Sequence, residues 1–507
     1  MSRPLPQARL PSPGGARPVD AVLRFFPVLH VLAGAVMLFS PAFLMPLALS
    51  VFLGDGARDA FGIGFAATFV AGLATFLATR GVRRRELQPR DGFLLVTLAW
   101  TGTAAFSTIP LLLHLPGLSF TDAYFEAISG MTTTGATVLT GLDSLPPSVN
   151  LWRAQLEWMG GMGILVLAVA ILPILGVGGS QIYKAEASGP FKDTKLTPRI
   201  ADTAKALWII YVGLTVACAV AYRLAGMTWI DAVIHAFATL SLGGFSSHDA
   251  SFGYFDSPLM DAIGVAFMLV AAVNFSTHFL AWHRRSARAY VADPEARWTI
   301  VVMLGSAAML AAFLVAKGQY PDFLTALRFT AFNTVSAATS SGFASTDYAQ
   351  WPVFAPVWIL FLSCFSSSSG STGGGVKMVR AVLLFKQALR EFTRIIHPSA
   401  VVPVKLGERV IENNTIFAVL AFMLMYGVTV IASTLLLALT GADIVTAFSA
   451  SIACVNNLGP GLGEVGPAGN FQGLSDFQKW VCSATMLLGR LELFTVLVLF
   501  NPAFWRK

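Results

Sequence analysis

Ala123–Gly135 reads AYFEAISGMTTTG, and the same thirteen-residue register returns three times: AVIHAFATLSLGG at Ala232–Gly244, TAFNTVSAATSSG at Thr330–Gly342 and AFSASIACVNNLG at Ala447–Gly459. Each copy is a short helix-compatible stretch that runs into a Thr/Ser/Asn/Gly tract and ends on glycine. Each also lies between two apolar stretches. Such fixed-register self-similarity is an internal repeat, here four units of apolar stretch, short segment and apolar stretch.

The composition says what solvent surrounds those units. The chain has 507 residues, of which 55% are hydrophobic and 12% charged, with a mean hydropathy of +0.68. A soluble domain carries about 25% charged residues, so this chain cannot cover an ordinary wet surface. The apolar stretches approach the ~20 residues that cross a ~30 Å hydrocarbon core. We read ten spans, at 22–53, 61–81, 91–113, 151–175, 206–225, 257–282, 298–316, 353–395, 410–439 and 476–500. The expected fold is an all-α polytopic membrane protein: four pseudo-symmetric units of span, re-entrant pore loop and span around a central pore, preceded by two extra spans.

Charge sets the topology. The pI of 9.3 and net charge of +7 come from Lys and Arg between the spans, with no basic domain of the kind that binds nucleic acid. Of 34 such residues, 27 fall in the N-terminus, 80–90, 184–205, 284–297, 377–409 and the last two residues. These connections alternate onto one side, which the positive-inside rule assigns to the cytoplasm together with both termini. The expected divisions are a cytoplasmic tail at 1–21, the extra spans at 22–90, and repeats at 91–200, 201–295, 296–405 and 406–507. No short apolar core with a small-residue cleavage site follows the proline-rich start, so no cleaved signal peptide is expected. Cys218, Cys364, Cys454 and Cys482 show neither CxxC pairing nor metal-ligand spacing, so no disulfide framework or zinc site is indicated.

Non-helical backbone survives at membrane depth only where protein surrounds it or where it lines a water-filled path. Four such tracts around one axis make a ring of carbonyls that can replace the hydration shell of a cation. Glycine permits the positive φ this requires, and each preceding helix aims its negative C-terminal end at the axis. For a single tract, small-residue helix packing would suffice as an explanation. Four aligned copies point instead to an ion filter.

The tracts Thr132–Thr137 (TTTGAT), Ser241–Ser246 (SLGGFS), Thr339–Ala344 (TSSGFA) and Asn456–Gly461 (NNLGPG) resemble the four non-identical filter loops of the Trk/Ktr/HKT superfamily of potassium transporters. The resemblance covers all four repeats and the two extra spans and is closest to the bacterial Trk-type membrane subunit. GSTGGGVK (Gly370–Lys377) resembles the family's intramembrane gating loop, LLGRLELFTVL (Leu487–Leu497) its last span with a lone arginine, and WMGGMGI (Trp158–Ile164) a span of its first repeat. The resemblance implies potassium uptake across a bacterial inner membrane, a homodimer embedded in lipid, and a cytoplasmic nucleotide-binding regulator. It implies no tightly bound cofactor; K⁺ is the transported ion and nucleotide acts only through the partner.

The filter residues are then Thr132, Thr133, Thr134 and Gly135; Ser241, Leu242, Gly243 and Gly244; Thr339, Ser340, Ser341 and Gly342; Asn456, Asn457, Leu458 and Gly459. Glycine at all four last positions goes with potassium preference in the family, whereas serine in the first filter admits sodium. Leu242 and Leu458 depart from the polar residues common there and leave the strictness of that preference open.

The gate is expected at 366–377, through Ser369, Gly370, Ser371, Thr372, Gly373, Gly374, Gly375 and Lys377, with Arg490 either a structural anchor on loop carbonyls or a charge that faces the pore below the filter and docks against the gate. The loop interrupts its span halfway, where a flexible backbone can obstruct an ion path; a plain helix kink is the alternative. Arg490 lies about ten residues inside its span, where an arginine costs about 2.5–3.5 kcal/mol unless it meets water or a partner. Glu492, two residues away, points to another face. Two other glycine patterns fail on chemistry. GSTGGGVKM has methionine where a phosphate loop needs Ser or Thr, and the GxGxxG of Gly461, Gly463 and Gly466 runs into Pro467 outside any βαβ unit. Asp249, Asp347 and Glu464, each five residues past a filter glycine, are candidates for an acidic pore mouth or for plain solvated loops. His235 is expected to be a packed hydrogen-bonding residue.

An enzyme is disfavoured by the lack of HExxH, GxSxG or paired intramembrane carboxylates. A sodium-coupled secondary transporter, a proton-coupled symporter or a weakly selective K⁺/Na⁺ channel remain the alternatives to a selective channel.

Overall fold

In the computed structural model, residues 25–81, 88–170, 200–365, 367–407 and 409–506 are described. The tail at 1–21, Ser366 and most of the basic connection 184–205 lie outside them. Among the described residues, six helices are long and apolar enough to cross a membrane: Phe26–Leu53, Arg58–Thr79, Arg90–His114, Ala204–Leu224, Pro294–Ala316 and Asn413–Leu439. The helix Pro147–Ala170 and the interrupted pair Phe354–Leu362 and Met378–Ile396 occupy two more of the expected positions.

The remaining two expected spans, 257–282 and 476–500, are not continuous, which refines the hydropathy reading. Pro258–Ala272 and Phe275–His283 meet at 93°, and Asp476–Arg490 and Phe494–Phe500 at 110°. The first break follows from Asn274, whose side chain accepts from Ser276 N–H at 2.8 Å and so starts a new helix. At the second, Glu492 and Leu493 take φ of 61° and 49°, which no α-helix accommodates. Among the described residues the only β-structure is a two-residue ladder pairing Lys405–Leu406 with Arg409–Val410.

The two extra spans lie against each other through Gly72, where an added Cβ would come within 2.9 Å of the Met37 backbone nitrogen. They join the first repeat through Phe43, stacked on Trp152 with centroids 4.5 Å apart, and through Gln155, which donates to Ala42 O at 2.8 Å.

Between the spans sit four short helices, Phe120–Met131, Trp229–Ser241, Phe323–Ala338 and Ile444–Asn456. All four have N-caps: Ser119, Thr228, Asp322 and Asp443 accept backbone N–H groups of the first turn. The third starts one turn earlier relative to its glycine than the others. All four end on the Thr/Ser/Asn/Gly tracts.

Candidate ion pathway

Each short helix terminates in the same way. Thr133, Leu242, Ser340 and Asn457 are left-handed, with φ of 53–63°. The next residue then donates back five positions: Thr134 to Ser129 O, Gly243 to Ala238 O, Ser341 to Ser336 O and Leu458 to Ala453 O, at 2.8–2.9 Å. This is the Schellman ending, but with non-glycine residues in the left-handed position. Gly135, Gly244, Gly342 and Gly459 follow with φ of 75–89°. Non-glycine left-handed residues each cost about 1–3 kcal/mol and concentrate where function holds them.

The four tracts interlock in cyclic order. A Cβ added to Gly135 would meet Gly243 O, one on Gly244 would meet Ser341 O, one on Gly342 would meet Leu458 O, and one on Gly459 would approach Thr134 O at 2.7 Å. Glycines and carbonyls therefore alternate around one closed ring. Asn457 fastens the last repeat to the first by donating to Thr134 Oγ1 at 3.0 Å. Leu242 and Leu458 are fully buried and pack their side chains in the hydrophobic core, so they lend only backbone to the ring. The four glycines line a cavity of about 80 Å³ that opens past Ala136, Phe245 and Pro460. Four helix C-termini aimed at a ring of carbonyls suit a cation and repel an anion.

Nine residues before the glycine, three of the four repeats carry a brace for the returning strand. Glu126 accepts from Thr137 Oγ1 and Val138 N–H, His235 Nε2 lies 2.9 Å from Ser246 Oγ, and Asn333 exchanges hydrogen bonds with Ser345. In the fourth repeat the position is Ala450, and the neighbouring Ser449 bonds Leu462 instead. His235 is thus a buried packing group equivalent to Glu126 and Asn333. Glu126 also holds Arg153 at 2.7 Å, and Arg153 donates to Ser246 O at 3.0 Å while lying over Phe245. That pair ties the exits of the first two loops. Glu126→Ala leaves Arg153 buried without its counter-charge, so we expect a loss of about 3–5 kcal/mol. The check is the unfolding midpoint in detergent; an unchanged midpoint would show that the pair does not hold the loops.

Glu157 was not singled out from the sequence. Its carboxylate accepts from Phe245 N–H at 3.0 Å, directly behind Gly243. A lone acid in an apolar span was the available signal.

The acidic residues beyond the glycines do not form a ring. Asp249 lines the cavity, but its carboxylate is engaged by Gly141 and Leu142 N–H, while Asp347, which caps Ala349, and the exposed Glu464 are not among its lining residues. Beside Asp249, burial opposes protonation of His248, but the hydrogen bonds and charges of Asp231 and Asp143 outweigh it and raise the imidazole above its ordinary value.

The expected gate residues lie against the inner face of the ring. Thr372 Oγ1 donates to Leu240 O at 3.0 Å, Gly373 lies on Thr339 O, and Gly374 N–H donates to Ser340 Oγ at 2.7 Å while facing Asn456 O. The tip thus touches the ends of three of the four short helices. Lys377 turns back onto Gly373 O, Ser371 bonds Ser368 O, and Ser369 N–H goes to Glu295. Arg490, at the end of its helix rather than inside a continuous span, donates to Thr372 O at 2.8 Å and to Gly160 O at 3.0 Å. Glu492 pairs with Arg380.

Fold and site together define an all-α integral membrane protein in which four re-entrant loops close one ring of backbone carbonyls. Residues 57–507 match the family model TrkH, described as cation transport protein. The chain is 47% identical over 482 residues to the Trk system potassium uptake protein TrkH of Halomonas elongata, covering 95% of this chain and 99% of that one. It is 45% identical to the protein of the same name from Escherichia coli K12, covering 96% of this chain and all of that one. The crystal structure of the potassium transporter TrkH from Vibrio parahaemolyticus superposes with a TM-score of 0.87 at 43% identity, over 95% of this chain and 100% of that one. The chain belongs to the TrkH family of cation transport proteins, a family of transporters and not of enzymes.

Proposed function

We propose that this chain carries potassium into the cell across the bacterial inner membrane, through the ring of Gly135, Gly244, Gly342 and Gly459, with the loop 367–377 as gate. The closed alternation of glycines and carbonyls supports this reading most directly, because it leaves backbone oxygen as the ligand and allows no side chain at the ring. The relatives' names, which state potassium uptake, agree with it. Flux or single-channel recording of the reconstituted protein under K⁺ and Na⁺ gradients tests it. Potassium flux no faster than in empty vesicles would overturn it.

The same reading places both termini in the cytoplasm and makes the protein a homodimer with a separate nucleotide-binding regulator. Within the basic connection, the exposed Arg394 and Lys405 and the half-buried Lys386 and Arg409 offer the docking face, whereas Lys377, Arg380 and Arg390 are buried. Nucleotide is therefore expected to alter flux only when the regulator is added. A nucleotide response from the purified chain alone would contradict this division of labour.

A further inference from the structure

The loop beneath the ring is held at its shoulders by groups the filter does not use. Oε1 of Glu295 accepts Ser369 N–H at 2.7 Å and Val379 N–H at 3.1 Å, one on each side of the tip. The first shoulder also bonds the break in the second repeat: Ser368 N–H to Ala272 O at 3.1 Å, and Phe275 N–H to Gly370 O at 3.0 Å. The base closes on itself through Val376 N–H to Cys364 O at 2.7 Å and Met378 N–H to Ser367 O at 2.8 Å. Glu295 is itself fixed. Asp293 accepts its N–H at 3.0 Å and is braced by Thr277 at 2.8 Å.

The tip is built differently. At and beside it Gly370, Gly375 and Lys377 have φ of 73°, 80° and 70°, and the contacts of Thr372 and Gly374 with the short helices are bonds between neutral groups. Releasing Oε1 of Glu295 strands a buried acid and two backbone N–H groups at once, whereas the tip gives up single bonds, those of Thr372 and Gly374 to the short helices and that of Arg490 to Thr372 O. The shoulders are therefore the last part of the loop to let go.

We propose that Glu295 is the positioning residue of the gate: one carboxyl oxygen pins both shoulders, so that opening displaces only the tip, 371–375. This rests on the loop being the gate, and the experiment separates the two claims. Flux per folded molecule is measured, without regulator, for Glu295→Ala, Glu295→Gln, a deletion of the tip, and the deletion combined with Glu295→Ala. With the shoulders unpinned, the placement of the tip against the ring becomes one of several open to the loop, so Glu295→Ala is expected to raise flux about tenfold, the factor that about 1.4 kcal/mol of lost closed-state preference gives. Glu295→Gln keeps a carbonyl oxygen at the same reach and is expected to bring flux most of the way back. In the deleted background Glu295→Ala is expected to add nothing.

If the deletion raises flux and Glu295→Ala does not, the pin is wrong and the gate stands. If the deletion leaves flux unchanged, the gate reading falls and the pin with it. An equal rise from Glu295→Ala with and without the tip also overturns the pin. Should the alanine variant fail to fold, amide hydrogen exchange in Arg490→Ala decides: Gly374 is expected to exchange faster while Ser369 and Val379 keep wild-type protection. Loss of protection at all three would overturn the proposal.

Discussion

Gly135→Ser and Gly342→Ser are expected to raise sodium permeability relative to potassium by about tenfold, the ratio that a change of about 1.4 kcal/mol in discrimination produces. The reason is local. At both positions φ lies in the left-handed region, and a Cβ would run into the carbonyl of the adjacent loop, Gly243 O or Leu458 O. The ring must open to accept it, and a wider ring no longer holds its oxygens at one radius. Gly459 leaves 2.7 Å to Thr134 O, the widest clearance of the four, so Gly459→Ser should shift the ratio least. A left-handed serine adds about 1–2 kcal/mol of strain, so permeability ratios are compared on folded protein. Unchanged ratios in both Gly135→Ser and Gly342→Ser would remove these glycines as determinants of selectivity.

The ring was legible because the repeat fixes both ends of each segment. Alignment brought Gly135, Gly244, Gly342 and Gly459 into one column, and left-handed backbone is what glycine supplies there. The column nine residues earlier, Glu126, His235, Asn333 and Ala450, carried the brace just as plainly, but three different polar residues hide one geometric role. Hydropathy could not reveal the bends at Asn274 and Glu492, because an apolar window averages over a break of a few residues. Asn274 followed two positions on by Ser276 was the local signal at the first. Of the two readings open for Asp249, Asp347 and Glu464, equal spacing from the glycines could not choose, since it does not fix what each carboxylate meets: Asp249 is engaged by Gly141 and Leu142 N–H and Asp347 by Ala349 N–H. Glu295 was invisible: a glutamate in the first turn after an aspartate cap ordinarily faces water, and only the tertiary fold brings Ser369 and Val379 to it.

The sequence left two roles open for Arg490, a charge facing the pore or an anchor on carbonyls; its hydrogen bonds are those of an anchor, and on the proposed reading of the loop as gate that anchor holds the gate closed. Its two hydrogen bonds run to Thr372 O, at the tip of the loop, and to Gly160 O, on the span of the first repeat. Gly160 in turn lies on Met131 O, at the end of the first short helix, the one the tip does not itself touch. Arg490 therefore completes the contact of the loop with all four repeats. Hydrogen bonds from a charged donor contribute about 1.5–3 kcal/mol each, so removing them should free the tip and also lower stability. We expect Arg490→Ala to raise cation flux per folded molecule by at least about tenfold, the factor for 1.4 kcal/mol, together with a lower yield of folded protein. Arg490→Lys should fall between alanine and wild type, because a single ammonium cannot span two carbonyls in the way the planar guanidinium does. Flux and yield are measured on the same preparation, so that loss of protein is not read as loss of conduction. A reduced normalised flux in the alanine variant would exclude Arg490 as a group that holds the gate closed.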